Sequence, residues 1–180
     1  MNKINHTLYR GSVNKQLRVM YQYQKKTSVD KFPTIKEYNG TTYIEPSFSL
    51  TIGEPYGSPN RVFIPGSGYF HFTLLLHKSI KLIQQHLLEL FPDMAKSEFE
   101  IDSMVLERFI TEKAMHVNGM TMIPCKWVNE TNECFPGIQI NSLHGTCRIP
   151  MEDCMAIDKM LSTFDPNMFG LLMLQMMGND

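Results

Sequence analysis

Residues 68–93 read GYFHFTLLLHKSIKLIQQHLLELFPD and carry the strongest secondary-structure signals of the chain. The first part, residues 69–76, is rich in aromatic and aliphatic side chains, which favours a β-strand. From His77 to Leu90 the apolar residues recur at helical spacing, and the following Phe91-Pro92-Asp93 predicts the end of a helix. The segment therefore predicts a strand that runs directly into an amphipathic helix.

A second segment, residues 144–168, repeats this pattern. Aligned with His144 under His71, HGTCRIPMEDCMAIDKMLSTFDPNM also reads as a strand, a short turn, an amphipathic helix and an aromatic residue followed by Pro and Asp or Asn. Pro150 and the acidic residues after it predict the beginning of this helix, which should run to Phe164. Repetition at this scale indicates duplicated units that share a core. Because the segments share few identities, chance similarity is the alternative.

Period-two patterns and turn residues predict the remaining β-structure. Pro46 favours an edge strand or a bulge within residues 43–52, and residues 96–115 fit either a bulged strand or a short helix. The predicted strands cover residues 17–23, 43–52, 61–64, 120–128, 137–141 and 145–149. We therefore expect an α+β fold with antiparallel, curved sheets, each followed by an amphipathic helix, as a tandem duplicated unit.

The expected organisation has three parts. A basic N-terminal arm covers residues 1–37, a single α+β domain covers residues 38–164 with halves 38–95 and 96–164, and a hydrophobic tail covers residues 165–180. An apolar tail in a soluble protein favours a buried contact, either between subunits or against the core. The tail therefore predicts a homo-oligomer, such as a tetramer, with packing onto its own core as the alternative.

The net charge of −1 hides a strong asymmetry along the chain. Residues 1–37 carry eight basic and two acidic side chains, a balance of +6, whereas residues 38–180 carry nine basic and sixteen acidic side chains, a balance of −7. Such asymmetry is typical of proteins with a polyanionic partner. The acidic second half should face away from that partner, form an assembly interface or recruit a replication or transcription protein.

Aromatic residues are interleaved with the basic residues of the arm. Cations can bind phosphates while rings stack on unpaired bases, which suits sequence-tolerant single-strand binding. The alternative is an ordinary solvated pair of strands with tyrosines on the buried face. The candidate nucleic-acid-binding residues are Lys3, Arg10, Lys15, Arg18, Tyr21, Tyr23, Lys25, Lys26, Lys31, Lys36, Arg61, Phe63 and Tyr69.

No catalytic constellation stands out in the sequence, so we expect a binding protein and not an enzyme. No Ser lies in a Gly-x-Ser-x-Gly context, and the six His are scattered. The four Cys, at 125, 134, 147 and 154, form no CxxC pair and are expected to be reduced packing residues. No cofactor or metal site is predicted; a Cys and His site assembled by tertiary folding is the alternative. The chain has no apolar run of membrane-spanning length and no secretory signal, which favours the cytoplasm.

The strand ending GYFHFTLLL followed by HKSIKLIQQHLLEL resembles the positive-cofactor-type single-stranded DNA-binding fold, in which a curved four-stranded sheet runs into an amphipathic helix. Two such units in tandem, at about this chain length, resemble the whirly family over roughly residues 40–164. The resemblance implies sequence-independent binding of single-stranded DNA in replication, recombination or transcription. The chain has no counterpart of the plant whirly signature Lys-Gly-Lys-Ala-Ala-Leu, which favours a divergent, phage-encoded relative acting in the host cytoplasm.

Two questions stay open at the level of sequence. RNA is not distinguished from DNA, because no reader of the 2′-hydroxyl is recognisable. The rival function is that of a structural or assembly protein, or a polymerase-recruiting regulator, which oligomerises through its arm and tail.

Overall fold

The first of two four-stranded antiparallel sheets is built from the N-terminal part of the chain. The computed structural model describes residues 2–10, 16–23, 35–38, 41–44, 47–53, 60–65, 68–113, 115–143 and 145–165, with the backbone alone for residues 2–49 and Pro65. The strands are β1 (Asn2–Arg10), β2 (Gln16–Tyr23), β3 (Ile35–Tyr38), β4 (Thr41–Ile44), β5 (Ser47–Gly53) and β6 (Arg61–Pro65). The sheet has the order β1-β2-β5-β6, in which β2 and β5 are direct neighbours. Strands β3 and β4, which lie between β2 and β5 in the sequence, form a separate two-stranded sheet. The strand predicted over residues 43–52 is therefore two strands, which lie on either side of Pro46.

The helix after this sheet begins earlier than predicted. Helix α1 covers Tyr69–Gln85, so the prediction of a strand over residues 69–76 is wrong. Phe72, Leu75 and Leu76 are buried while Phe70 is exposed, which is helical and not alternating burial. A short run of aromatic and aliphatic residues has the composition of a strand, and its contacts with the core decide its conformation. Two further helices, α2 (Leu87–Leu90) and α3 (Ser103–Lys113), connect α1 to the second sheet.

The second sheet repeats the architecture of the first. Its strands are β7 (His116–Val117), β8 (Met120–Val128), β9 (Cys134–Ser142) and β10 (Gly145–Pro150), and they form an antiparallel sheet in the order β10-β9-β8-β7. Helix α4 (Met151–Thr163) follows directly. The α+β fold with antiparallel sheets, each followed by a helix, is thus confirmed. The predicted sequence alignment, with His144 under His71, matches the first turns of helix α1 to strand β10. The two halves therefore share the order of a sheet followed by a helix, but the residues in that alignment are not structurally equivalent.

The two halves share one hydrophobic core. Helix α1 lies antiparallel to α4, and it also contacts β7 and β8 of the second sheet. Helix α4 contacts β9 and β10, and it also approaches β1 of the first sheet. The fully buried core side chains include Leu50, Ile52, Ile64, Phe72, Ile83, Met122 and Ile138. Because these side chains come from both sheets and from α1, neither half encloses a core of its own.

Glycines allow the two sheets to meet at their edge strands. Asn60, next to β6, forms a parallel bridge with Thr146 in β10. Gly145 has φ +134°, and a Cβ there would lie 2.1 Å from the carbonyl oxygen of Arg61. Gly53 has φ +124°, and a Cβ there would lie 2.4 Å from the carbonyl oxygen of Asn60. Only residues without a Cβ permit this backbone conformation and this approach.

Candidate nucleic-acid interface

The strand register divides the first sheet into rows of two kinds. Residues that pair across strands lie side by side, and alternate rows belong to opposite faces of a sheet. Val62 pairs with Ile52, and Ile64 pairs with Leu50; all four side chains are buried, so their rows belong to the core face. The rows of the other face, called here the polar face of the first sheet, are Arg10–Gln16–Gly53–Arg61, Thr7–Arg18–Thr51–Phe63, Asn5–Met20–Ser49–Pro65 and Lys3–Gln22–Ser47.

All basic residues of this sheet fall on the polar face. The four strands contain four cations and no Asp or Glu. The bulge between Thr7 and Tyr9 brings Arg10 into the row of Arg61, so that its position shares the face of Arg18. Within the strands described, the register therefore collects the positive charge on the side opposite the core. The four cations are Lys3, Arg10, Arg18 and Arg61.

The tyrosines predicted to act beside these cations occupy the other rows. Tyr21 pairs with Phe48, which is two residues from the buried Leu50 and therefore belongs to the same face of the sheet. Tyr23, two residues further along β2, pairs with Asn2. The register thus places both tyrosine positions on the face opposite the cations. This agrees with the alternative interpretation, in which the tyrosines belong to the core face of a strand pair. Lys36 lies in β3 and pairs with Tyr43 of β4. Lys15, Lys25, Lys26 and Lys31 lie outside the described residues, and so does the tail beyond Asp165.

Strand β6 contributes two of the predicted residues to the polar face. Arg61 and Phe63 are both half-buried, and they alternate with the fully buried Val62 and Ile64. Because Phe63 belongs to the row of Arg18 and Thr51, a ring and a cation lie in one row. This row combines the two side-chain types that bind unpaired nucleotides.

Tyr69, in contrast, has a structural position at the contact between α1 and α4. Its hydroxyl lies 2.8 Å from the carbonyl oxygen of Leu161 and 3.0 Å from that of Phe164, and it can donate to either. Its ring packs edge-on against the ring of Phe164, with centroids 5.8 Å apart. Burial, and secondarily the negative charge of Asp165, raises the pKa of Tyr69. We therefore leave Tyr69 out of the candidate interface.

The second sheet also has a polar face, and a chain of hydrogen bonds crosses three of its strands. Arg148 Nε donates to Gln139 Oε1 at 2.9 Å, and Gln139 Nε2 donates to Asn141 Oδ1 at 3.1 Å. Asn141 Nδ2 in turn donates to Thr121 Oγ1 at 3.1 Å. The guanidinium of Arg148 is exposed, and no described carboxylate forms an ion pair with it. This ladder of side chains holds a cation at a fixed place on the sheet.

Two aromatic rings lie at the far end of the same face. Trp127 and Phe135 pair across β8 and β9, with ring centroids 5.9 Å apart and planes tilted by 52°. Trp127 is almost fully buried, whereas Phe135 is 40% exposed. The strands of this sheet also contain no Asp or Glu. A Cβ on Gly137 would lie 2.7 Å from the carbonyl oxygen of Ile149 and 3.2 Å from the Cβ of Trp127, so a larger residue there would displace strand β10 or the Trp127 side chain.

Only a weak pattern in the sequence indicates this second polar face. Arg148 and Gln139 are separated by nine residues, and only the pairing of β9 with β10 brings them into one row. Alternation of buried and polar residues along residues 137–149 was the signal that could have indicated the face. Its members were missed because cross-strand neighbours depend on register, which composition does not reveal.

Three other cations of the described chain form ion pairs with carboxylates. Arg108 of α3 contacts Glu89 at 3.8 Å, Lys96 contacts Asp93 at 2.8 Å, and Lys126 binds Glu100. The hydrogen bond with Glu100 raises the pKa of Lys126. Between α1 and α4, His77 Nδ1 lies 2.9 Å from Asp158 Oδ2. Lys78 and Lys81 of α1 and Lys159 of α4 are exposed as well, so the helices also carry positive charge.

The described residues contain neither a cluster typical of a metal site nor a disulfide. No three His, Cys, Asp or Glu side chains of the described chain converge as ligands of a metal ion would. All four Cys are free thiols; Cys147 and Cys154 are buried, and Cys125 and Cys134 are half-buried. Among the described helices, none has the length and apolar character needed to cross a membrane.

Comparison with known proteins returned nothing that resembles this chain. No protein family, no curated protein and no solved structure matches it.

Proposed function

We propose that the protein binds single-stranded DNA, largely independently of sequence, and is not an enzyme. One observation carries the proposal: the register collects all four cations of the first sheet on the polar face, in strands without a single acidic residue. Cations that share one face of a sheet can contact phosphates of one strand, and Phe63 belongs to the same row as Arg18. RNA is the closest alternative ligand.

The proposal includes a biological setting that follows from the family resemblance. Such a protein would act in replication, recombination or transcription, in the cytoplasm, or in the host cytoplasm if phage-encoded. It would work as a homo-oligomer, such as a tetramer, and the acidic residues of its second half, which lie outside the strands of the second sheet, would recruit a replication or transcription protein.

The test is the salt dependence of binding to a labelled oligothymidylate, followed by fluorescence anisotropy. Each phosphate contact on a single strand contributes about 0.7 to the slope of log K against log salt. Replacing both Arg18 and Arg61 by Gln should therefore reduce that slope by about 1.4 and weaken binding at low salt. The matched control, Lys96→Gln with Arg108→Gln, removes the same charge from the helical side and should change neither quantity.

Two results would contradict the proposal. The wild type could fail to bind at low micromolar concentration and low salt, or the two double variants could weaken binding equally, which would indicate attraction by net charge alone. An equimolar oligouridylate measures the preference between DNA and RNA.

A second candidate function is assembly, and exposed apolar side chains on the helices favour it. Phe70 and Leu74 lie one turn apart on α1, and Leu88 and Met104 are also largely exposed. Exposed apolar patches mark contact surfaces between proteins. If assembly is the main function, light scattering should show an oligomer whose subunit number changes on replacing Phe70 and Leu74 by Ser, while DNA affinity is absent or unaffected.

A further inference from the structure

We infer that the polar face of the second sheet is a separate nucleotide subsite, in which Arg148 binds a phosphate and Phe135, next to Trp127, stacks on an unpaired base. The inference rests on the proposed function, because it assigns a second contact to the same single strand.

The hydrogen-bond ladder makes this face a surface of donors. In the network, the carbonyl oxygens of Gln139 and Asn141 accept bonds from Arg148 and Gln139, while each side-chain NH2 uses one of its two hydrogens. The second hydrogen of each amide and the terminal nitrogens of the Arg148 guanidinium make no described hydrogen bond within the chain. Donors without a nearby carboxylate suit phosphate oxygens and the carbonyl groups of bases.

The ladder also holds the arginine in position before a ligand binds. A free arginine loses side-chain entropy when it is immobilised, and the bond to Gln139 has already removed part of that freedom. The backbone N–H of Arg148 donates to Asn60 Oδ1 at 3.3 Å, which ties the same residue to the edge of the first sheet. Arg148 is therefore fixed next to the strand that carries Arg61 and Phe63.

The aromatic pair supplies the second half of the subsite. Phe135 stands four residues from Gln139 along β9, or about 13 Å at the rise of a β-strand. A single small anion can use only the arginine end of this face, whereas a nucleic-acid strand can contact both ends. Trp127 packs beside Phe135 at a tilt of 52° and restricts its ring, so stacking of a base on the exposed part of Phe135 costs less side-chain entropy.

Trp127 provides a direct measurement, because it is the only tryptophan of the chain. The full-length protein is titrated with oligothymidylate while indole emission and anisotropy of the labelled strand are followed together. A base on Phe135 lies close to the indole, so we expect the emission to change with the same apparent Kd as the anisotropy. Unchanged emission at saturating DNA would overturn the inference, and it requires no variant that could fail to fold.

Variants then test each end of the subsite. Phe135→Ala should weaken binding by about 5- to 140-fold, which corresponds to the usual loss of one stacked base. Phe70→Ala removes a more exposed ring from α1 and is the matched control, expected to bind as the wild type does. Arg148→Gln should lower the salt slope by about 0.7, whereas Arg108→Gln should not. Far-ultraviolet circular dichroism confirms folding, and Phe135→Leu serves as a milder variant if Phe135→Ala is unfolded.

The outcomes distinguish this inference from the proposed function. If the Arg18 and Arg61 variant loses affinity while the Phe135 and Arg148 variants bind like the wild type, DNA binding stands and the second subsite is refuted. If the wild type binds no single strand, both fail together. If inorganic phosphate alone displaces the strand from wild type but not from Arg148→Gln, and emission never changes, the face is an anion site without base stacking, which also refutes the inference.

Discussion

Replacing Gly145 by Ala should destabilise the protein far more than a surface change in a turn normally does. The position has φ +134°, a conformation that L-residues rarely adopt, and forcing one to adopt it costs about 1–3 kcal/mol. In addition, the new Cβ would lie 2.1 Å from the carbonyl oxygen of Arg61. Since that neighbour is backbone, strands β6 and β10 must move apart, and overpacking of this kind costs about 1–3 kcal/mol more. We expect the free energy of unfolding to fall by about 2–6 kcal/mol.

Gly119 offers a matched control with the same change of side chain. It also has a positive φ, +77°, but an added Cβ would meet only the side chain of Leu143, at 3.4 Å. Gly119→Ala should therefore cost only the conformational part, about 1–2 kcal/mol. The difference between the two variants measures the close approach of the two sheets.

Urea denaturation followed by circular dichroism gives both values, with equal m-values as the check that the same transition is compared. If Gly145→Ala and Gly119→Ala agree within about 0.5 kcal/mol, which is the usual scatter of such comparisons, the contact between β6 and β10 is not as described. A smaller effect at Gly145 than at Gly119 would contradict the reasoning altogether.

Two further predictions concern the core and the thiols. Phe72→Ala, at a fully buried position of α1, should lower the free energy of unfolding by about 3–5 kcal/mol, whereas Phe70→Ala, 65% exposed, should change it by less than about 0.5 kcal/mol; equal effects would favour the strand predicted from the sequence. Burial raises the pKa of Cys125 from 9.0 to about 11, an effect that Arg148 partly offsets. Because the unfolded chain ionises at the lower pH, stability should be unaffected below pH 9.0 and should fall as the pH rises to about 11, by at most about 1.4 kcal/mol per pH unit for this thiol. Urea titrations at several pH values should show that the free energy of unfolding falls less steeply with pH in Cys125→Ala than in Cys134→Ala. Identical pH dependence in the two variants would refute the assignment to Cys125. Burial also raises the pKa of Cys154, so part of the pH dependence should remain in both variants.

The sequence predicted elements whose signals are local. Helix α4 has Pro150 before it and acidic residues in its first turn, and it lies where these residues place it. Strands β8 and β10 follow alternating patterns bounded by turns and were also found. Local rules work at these positions because propensity, pattern and tertiary packing all favour the same conformation.

The first turns of α1 and the candidate site depended on distant contacts. Residues 69–76 fit a strand by composition, and they are helical because Phe72, Leu75 and Leu76 pack into a core formed with the second sheet. Likewise, the separation of the tyrosines from the cations depends on the pairing of β1 with β2 and of β2 with β5. A shift of one residue in register moves a side chain to the opposite face of the sheet, so counting charges along the chain could not predict which face carries the cations.

The contact of α4 with β1 has a consequence for the order of events during synthesis. Strand β1 is synthesised well before its cover, because the helix that approaches it lies about 150 residues later in the chain. Until residues 151–163 emerge, the apolar rows of the first sheet lack part of their cover and are open to aggregation. The nascent chain should therefore depend on a chaperone or on rapid completion, and a ribosome stalled in the connection between the halves should leave a product that cannot stay in solution.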